Sequence, residues 1–178
     1  MIFERFVFRI VYYSAIFLLR LISLLSTQTY MKYYIILLKK SGMRIVGAPR
    51  YISPDVYFDS LHRITINERC VISKKVVFLT HDYSITTGLC SINECPKSDL
   101  QINGTIILEE NVFIGLGTII LPKTHVGANS IIGAGSVIKG NIPPRSVVIG
   151  NPAKVICNID EFTKRMKINL EGLDHCYD

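Results

Sequence analysis

The tetrapeptide His81-Asp82-Tyr83-Ser84 places an imidazole, a carboxylate, a phenol and a hydroxyl on consecutive residues. An imidazole with an ordinary pKa of about 6.5 can remove a proton from a hydroxyl group near neutral pH. The carboxylate and the phenol beside it can form hydrogen bonds with hydroxyl or amine groups of a substrate. We therefore regard His81 as a candidate general base, and Asp82 and Tyr83 as candidate substrate-binding residues.

The remaining histidines and the cysteines form no recognisable metal site. His62, His125 and His175 are widely separated, and we expect each of them to be structural or solvated. No Cys-x-x-Cys pair occurs, and the step from Cys90 to Cys95 is not a usual zinc spacing. We predict no metal, and we expect free thiols in a reducing cytosol at Cys70, Cys90, Cys95, Cys157 and Cys176.

The middle of the chain repeats apolar residues every six positions. The first run consists of Val46, Ile52, Phe58, Ile64, Cys70 and Val76. A second run, two residues out of phase, consists of Ile102, Leu108, Ile114, Ile120, Val126, Ile132 and Ile138. A helix repeats every 3.6 residues and a flat strand every two, whereas a period of six fits a β-helix with three short strands and about 18 residues per turn.

Small residues and glycines follow the same period. Positions four after the apolar residue, which we expect at the corners of the prism, are Val112, Thr118, Thr124, Ser130 and Ser136. Glycine follows the apolar residue at positions 115, 127 and 133, where we expect turns with unusual torsions. A β-sandwich would instead show alternation with turns about every 8–12 residues, and the six-residue period argues against it.

The break between the two runs predicts a loop outside the prism. The register fails at Asp82 and resumes at Ile102, so we expect residues at about 80–101 to leave the coil. Long loops on a rigid scaffold are common places for functional residues. This loop is therefore expected to place His81 at the functional site.

The N-terminal segment is apolar and basic, and two surroundings remain open for it. Residues 1–50 carry eight Lys or Arg against one acid, whereas residues 51–178 carry twelve against thirteen acids. The uncharged stretch Ile10–Leu19 is about half of the roughly 20 residues that a membrane-spanning helix needs. We predict amphipathic helices, the second at about 29–40, whose apolar face is covered either by protein or by a membrane interface. The polar stripe of the first would contain Arg5, Arg9, Tyr13, Ile16, Arg20, Ser23 and Thr27.

A last helix is predicted from about Asp160 to Leu173. Its apolar face would contain Ile159, Phe162, Met166, Leu170 and Leu173. Asn158 with Glu161 resembles a capping box at its start. The predicted division of the chain is therefore a helical segment at 1–41, a β-helix at 42–157 with the loop at about 80–101, and a C-terminal helix and tail at 158–178.

Several segments of residues 42–157 resemble the hexapeptide-repeat acyltransferases, in particular their maltose/galactoside acetyltransferase-like branch. They read IGLGTIILP at 114–122, VGANSIIGAGSV at 126–137, PP at 143–144 and GNPAKVI at 150–156. The stretch LTHDYS at 79–84 resembles enzymes that O-acetylate surface polysaccharide sugars. The resemblance implies a mainly β fold, a left-handed parallel β-helix that forms a homotrimer with acetyl-CoA in the groove between neighbouring prisms.

The resemblance also implies roles for particular residues. His81 takes the place of the base that activates the acceptor, and Asp59 lies near the family's carboxylate for sugar hydroxyls. A backbone N–H near Gly115 or Gly117 would stabilise the oxyanion. Cofactor-binding positions of the family correspond to Gly115, Leu116, Ala134, Lys139 and Lys154. The family often has Thr-Lys where this chain has Lys139-Gly140, so the phosphate contact departs from the pattern.

The sequence therefore favours an acetyl-CoA-dependent O-acetyltransferase that acts on a sugar hydroxyl in surface polysaccharide biosynthesis. Two alternatives remain: another acceptor (serine, an amino-sugar amine or an antibiotic) and a non-catalytic β-helix scaffold. The γ-class carbonic anhydrases share the fold, but they need a close pair of histidines on one coil, which this chain lacks.

We expect a cytoplasmic protein, with peripheral contact to the inner face of the cell membrane as one of the two N-terminal options. No nucleic-acid partner is expected, because the basic excess is confined to the N-terminal segment.

Overall fold

The computed structural model describes the backbone of residues 2–173 and the side chains of residues 11–12 and 14–168. Outside the described residues lie His175, Cys176 and the side chains of Arg5, Arg9, Tyr13, Leu170 and Leu173. The described chain forms two N-terminal helices, a left-handed parallel β-helix and a C-terminal helix, which confirms the predicted fold class. The predicted division into domains stays a prediction, because element bounds alone do not establish independently folding units.

The prism has three faces of short strands, which are visited in the same order in every turn. The first face contains β1 (Arg44–Ile45), β4 (Ile64–Ile66), β9 (Ile106–Leu108), β12 (Thr124–Val126) and β15 (Asn141–Ile142). The second contains β2 (Tyr51–Ile52), β5 (Val71–Ile72), β10 (Phe113–Ile114), β13 (Ile131–Ile132), β16 (Ser146–Gly150) and β17 (Ala153–Asn158). The third contains β3 (Tyr57–Phe58), β6 (Val77–Phe78), β11 (Ile119–Ile120) and β14 (Val137–Ile138). All pair in parallel except β17, which runs antiparallel to β16.

The prism interior is filled by two positions of each hexad. The second run is buried from Leu108 to Ile138, and the predicted corner residues from Val112 to Ser136 are buried as well. In the first run, Ile64 pairs with Ile106, while Ile66 pairs with Leu108. Ile64, Cys70 and Val76 therefore occupy corner positions, so the predicted first run mixed two positions of the hexad.

The predicted two-residue phase shift exists but was placed at the wrong point of the chain. Phe58 pairs with Phe78, 20 residues later, so the two extra residues lie in the turn with the short 3₁₀ helix Leu61–Arg63 and not at the loop. Phe78 pairs directly with Ile120, and these partners lie 42 residues apart, whereas Ile120 and Ile138 lie 18 apart. The inserted segment therefore has a length that is a whole number of hexads, and the register resumes unshifted. Val46 is also not an interior residue, since it is 46% exposed while Ile45 is buried.

The glycines at 115, 127 and 133 allow close packing between coils, which corrects the prediction of unusual torsions. Positive φ angles occur instead at Gly117 and Gly135, at 67° and 69°. A Cβ atom on Gly115 would lie 2.4 Å from the backbone nitrogen of Ala134 in the next coil. Any side chain at position 115 would thus force two coils apart.

The predicted loop leaves the prism where expected. Its base is a two-stranded antiparallel ladder of β7 (His81–Asp82) and β8 (Ile102–Asn103), and it carries α3 (Ser84–Ser91). Cys90 and Cys95 form a disulfide within the loop, so the expectation of free thiols is wrong for these two. Cys70 and Cys157 are free.

Two helices close the N-terminal end of the prism. The second, α2 (Thr27–Lys40), matches the predicted helix and buries Tyr30, Met31, Tyr34 and Leu38. The hydroxyl of Tyr30 donates a hydrogen bond of 2.6 Å to the carbonyl oxygen of Ile52 in the first coil. At its start the Ser26 hydroxyl accepts a 3.2 Å hydrogen bond from the amide of Thr29, a typical N-cap.

In the first helix, α1 (Ile2–Leu25), the described members of the predicted polar stripe lie on or beside the side that meets the protein. Ile16 and Ser23 are partly buried, and the guanidinium of Arg20 lies 3.1 Å from the carboxylate of Asp55. Apolar side chains on the other side, such as Leu24, face outward and are not covered by the described part of this chain. Cover by a neighbouring subunit or by a membrane interface stays a prediction. Among residues 2–173 no helix combines the length and the apolar character that crossing a membrane requires.

After the prism, β17 leads into α4 (Ile159–Leu173), close to the predicted bounds. The side chain of Asn158 accepts a 2.8 Å hydrogen bond from the amide of Glu161, as expected of a helix cap.

Candidate functional site

The fold brings Asp59 next to Thr80 and His81. Asp59 directly follows β3, and Thr80 and His81 follow β6 by two and three residues. Because β3 and β6 are neighbours in the third face with Phe58 opposite Phe78, the residues that leave these strands lie one above the other. The corner between the third and first faces therefore positions all three residues, and the ladder of β7 and β8 fixes the start of the loop there.

One carboxylate oxygen organises this corner. Oδ2 of Asp59 accepts hydrogen bonds from the hydroxyl of Thr80 at 2.7 Å and from its amide at 3.0 Å. The same oxygen contacts Nδ1 of His81. The Asp59 side chain is 10% exposed and the His81 side chain 33% exposed, so the carboxylate is enclosed while the imidazole remains accessible.

Asp59 keeps its negative charge in this setting. Burial alone would raise the pKa of the Asp59 carboxyl, but hydrogen bonds from Thr80 and the contact with His81 outweigh burial and hold that pKa below its ordinary value. An ionised carboxylate only accepts hydrogen bonds, so Nδ1 of His81 must carry the proton that joins the two groups. In a neutral imidazole Nε2 then has the free lone pair, which is the form that can take a proton from a substrate.

His81 lines a cavity of about 620 Å³, which we call the His81 cavity. Its wall consists of Leu79, His81, Asp82, Ile102, Leu121, Pro122, Lys123 and Lys139. Half of these residues are apolar, two lysines supply positive charge, and Asp82 supplies a negative charge. Of the predicted site residues, the cavity brings together His81, Asp82 and Lys139.

Asp82 lines the cavity and Tyr83 lies beside His81, and both side chains are exposed. Oδ1 of Asp82 accepts a 2.8 Å hydrogen bond from the amide of Ser84. Hydrogen bonds from Ser84, first from its backbone and then from its side chain, lower the pKa of Asp82, with smaller contributions from Lys139 and His81. The Tyr83 ring stands edge-on to His81, with 5.3 Å between ring centroids. Part of the Asp82 carboxylate is therefore used to start α3.

The other predicted cofactor residues lie at a different corner, between the second and third faces. Gly115 packs against Ala134 in the next coil, and Leu116 is 52% exposed. Lys154 is exposed on β17 at the edge of the second face. Within one chain these residues do not reach the His81 cavity, and we call them the groove corner.

The backbone donors named from the sequence are already engaged. The amide of Gly115 donates to the carbonyl of Ile132 at 2.8 Å, and the amide of Gly117 donates to Lys74 at 3.0 Å. These two N–H groups are therefore not free to stabilise an oxyanion, and another backbone donor near Gly115 or Gly117 stays a prediction.

The other described histidines have structural or solvated surroundings. Nε2 of His125 lies 2.8 Å from Oε1 of Glu109, whose second oxygen accepts a hydrogen bond from the amide of Ala128. His62 is exposed on the short 3₁₀ helix Leu61–Arg63.

Sequence reasoning missed Thr80 and most of the cavity wall. Thr80 stood beside His81 in the motif, but only the stacking of coils shows that it bonds Asp59. Leu121 lies one 18-residue turn before Lys139 and could have been found by counting along the repeat. Leu79 follows Phe78, the partner of Ile120, so it lies one coil before Leu121. The inserted loop separates the two residues in sequence, so finding Leu79 by counting would have required the true length of the insertion.

A search against protein families matches residues 105–140 to the family described as "Bacterial transferase hexapeptide (six repeats)". This span covers the regular coils between the loop and β15.

Relatives extend the similarity beyond these coils. The galactoside O-acetyltransferase of Escherichia coli (strain K12) is 31% identical over 140 residues, which are 70% of this chain and 68% of that protein. WbbJ of the same strain, named for O-acetyl transfer in lipopolysaccharide biosynthesis, is 29% identical over 61% of this chain and 57% of its own length. Two further relatives are matched over only 31% of their length.

A solved structure, "Galactoside acetyltransferase in complex with coenzyme A", superposes with a TM-score of 0.53 at 25% identity. The match covers 72% of this chain and 70% of that one. Taken with the E. coli relative and the matched repeats, it shows that this chain belongs to the hexapeptide-repeat acyltransferase family.

Proposed function

We propose that this protein transfers the acetyl group of acetyl-CoA to a hydroxyl group of a sugar, with His81 as general base. The observation that carries the proposal is the contact between Oδ2 of Asp59 and Nδ1 of His81 at the edge of the His81 cavity. It leaves Nε2 able to accept a proton, which a hydroxyl nucleophile must lose. The relatives named as galactoside O-acetyltransferases support both the donor and the type of acceptor.

The proposed transfer needs only His81, the acceptor hydroxyl and acetyl-CoA as reacting groups. Nε2 of His81 takes the hydroxyl proton as the oxygen attacks the thioester carbonyl carbon. The tetrahedral intermediate collapses, the carbon–sulfur bond breaks, and the leaving thiolate takes the proton back from His81. The products are an acetyl ester and coenzyme A with a free thiol. Asp59 holds the imidazole in the correct tautomer and stabilises its positive charge between these steps, as in other carboxylate–histidine pairs.

The other residues near His81 are proposed to stabilise charge or to bind the acceptor. Lys123 and Lys139 place positive charge at the cavity, where it stabilises the negative charge that develops on the thioester oxygen. Tyr83 and the exposed part of Asp82 are positioned to bind acceptor hydroxyls beside His81. Asp59, which the sequence assigned to the acceptor, is largely enclosed, and in this proposal it acts on His81.

The complete site is proposed to form between two chains of a homotrimer. The His81 cavity and the groove corner lie at different corners of one prism, so a second chain is needed to bring them together. The second face also exposes apolar side chains next to the groove corner, including Phe113, Ile149 and Val155. A neighbouring prism and the pantetheine arm of acetyl-CoA would cover this surface, with Lys154 near the nucleotide phosphates.

The acceptor is proposed to be part of a surface polysaccharide precursor, handled in the cytoplasm. The relative WbbJ, named for lipopolysaccharide biosynthesis, supports this acceptor class.

The experiment that tests the proposal measures coenzyme binding and transfer separately. Calorimetric titration with coenzyme A is expected to show saturable binding. Thiol release from acetyl-CoA is then followed with methyl galactoside, maltose, serine, glucosamine and an aminoglycoside, and the neutral sugars are expected to be acetylated on oxygen. Fastest transfer to serine or to an amine would overturn the sugar assignment. A flat titration would instead identify a non-catalytic β-helix scaffold.

A further inference from the structure

The first helix presents an apolar stripe that the rest of the described chain leaves uncovered. Leu24 and Leu25 are 82% and 89% exposed, and four more side chains on this side are 48–66% exposed. The six residues of this stripe, which we call the α1 stripe, are Val11, Phe17, Leu18, Leu21, Leu24 and Leu25. Spacings of three, four and seven place all six on one side of the helix.

The opposite side of α1 is attached to the protein. Leu19 is 6% exposed, and Ile16 and Ile22 pack against the core. Arg20 at the edge of this side pairs with Asp55. The helix is therefore held in one orientation, with the α1 stripe outward, and the stripe is larger and more continuous than scattered surface apolar residues.

The charges in this part of the chain indicate what covers the stripe. Residues 11–50 contain six Lys or Arg and no acid. All six are exposed: Arg20, Lys32, Lys39, Lys40, Arg44 and Arg50. Of these, only Arg20 has an ion pair within the described part of the chain. A second copy of this segment would bring the same positive charge to the contact, which opposes self-association, whereas an anionic surface complements it.

We propose that the α1 stripe lies in the interface of an anionic lipid bilayer. The helix lies parallel to the membrane, with its apolar side chains about 5–10 Å into the boundary between headgroups and acyl chains. The exposed lysines of α2 lie among the lipid phosphates. The β-helix then stands on the membrane by its N-terminal end, because α2 covers that end.

Vesicle co-sedimentation of the full-length protein without acetyl-CoA tests this proposal independently of the enzymatic activity. Phosphatidylcholine vesicles with about 30% phosphatidylglycerol are compared with pure phosphatidylcholine at about 0.1 M salt. We expect binding to the anionic vesicles that weakens as salt is raised, because the lysines act through screened charges. No binding to anionic vesicles, or equal binding to both kinds, overturns the proposal.

Paired variants separate the apolar and charged contributions. Phe17→Ser with Leu21→Ser is expected to lower the vesicle partition coefficient about tenfold or more. Its matched control is Met166→Ser with Ile168→Ser, which removes exposed apolar side chains from α4. Lys39→Gln with Lys40→Gln is expected to lower partition about tenfold or more, and Lys164→Gln with Lys167→Gln is its control. Both controls should bind as the unaltered protein does.

The oligomeric mass tests whether a second copy of the protein, instead of a membrane, covers the α1 stripe. Light scattering is expected to give the same mass for the Phe17→Ser/Leu21→Ser variant as for the unaltered protein. A smaller mass for this variant, together with unchanged vesicle binding, would show that a second copy covers the stripe and would overturn the proposal. Far-ultraviolet circular dichroism verifies that each variant is folded.

Discussion

Nδ1 of His81 contacts Oδ2 of Asp59, a carboxylate held one coil away and already bonded twice by Thr80. The geometry makes Asp59 a hydrogen-bond acceptor with a fixed position and His81 a donor through Nδ1. The catalytic proposal depends on this arrangement, because it determines which ring nitrogen is free.

Asp59→Asn should therefore disable the base without removing it. The amide of asparagine can donate to Nδ1, which would place the imidazole proton on Nε2, the wrong tautomer for accepting a proton. We expect turnover to fall about 10²–10⁴-fold with little change in coenzyme A affinity. Steady-state kinetics and calorimetry check both values.

Asp55→Asn is the matched control, because Asp55 is an exposed carboxylate on the same coil that pairs with Arg20. Its turnover should stay near that of the unaltered protein. Turnover of Asp59→Asn as high as that of the control would show that Asp59 does not position His81.

Asp59 should also contribute to stability in a pH-dependent way. Its folded-state pKa lies below the ordinary value of 3.8, so the folded state favours the ionised carboxylate. This contribution is fully present above the unfolded-state pKa and is lost as pH falls through the lowered folded-state pKa. Urea unfolding between about pH 3 and pH 6 should show a shallower acid loss of unfolding free energy in Asp59→Asn than in the unaltered protein. Parallel curves for the two proteins would contradict the lowered pKa.

Gly115→Ala should destabilise the prism although it adds only one methyl group. The new Cβ would lie 2.4 Å from the nitrogen of Ala134, a backbone atom that cannot move without shifting a coil. We expect a loss of about 1–3 kcal/mol in the free energy of unfolding. Gly88→Ala is the control, since a Cβ there meets nothing within 4 Å and the residue lies in α3. Equal stability of the two variants would show that the coils can separate at no cost.

Mixed oligomers test whether the site is shared between chains. His81→Ala removes the base, and Ala134→Glu blocks the groove corner with an exposed, charged side chain. Each variant alone should be inactive. Co-refolded from an equal mixture, they should regain about a quarter of full activity, because every mixed trimer pairs one intact cavity with one intact groove corner. A mixture that stays inactive, although mixed trimers are isolated, would place the complete site within one chain.

The regular part of the fold could be predicted because equivalent positions of successive turns have the same local environment. An apolar residue at Ile114, a small one at Thr118 and the next apolar one at Ile120 recur in every turn, so periodicity alone gives the β-helix. The true register of the first turns could not be predicted. Ile64 and Ile66 are both buried, and an apolar pattern does not tell the corner from the interior.

The site was only partly predictable, for a related reason. His81 stands at the visible interruption of the repeat, and its motif singles it out. Asp59 is 22 residues away in sequence and reaches His81 because the coils stack, with a short helix at Leu61–Arg63 lengthening the turn between them. The contact between Asp59 and His81 is visible only in the three-dimensional structure, whereas the sequence resemblance suggested that Asp59 binds the acceptor. The orientation of α1 could not be predicted either, since the sequence pattern shows an apolar face but not which side of the helix contacts the protein.

The most direct measurement compares His81→Ala with the unaltered protein, using acetyl-CoA and the best sugar acceptor of the panel. Turnover should fall about 10²–10⁴-fold while the calorimetric affinity for coenzyme A stays within about twofold. His125→Ala removes a histidine that pairs with Glu109 on the scaffold, and it should leave turnover near normal. A His81→Ala protein that acetylates the sugar as fast as the unaltered protein would contradict the account.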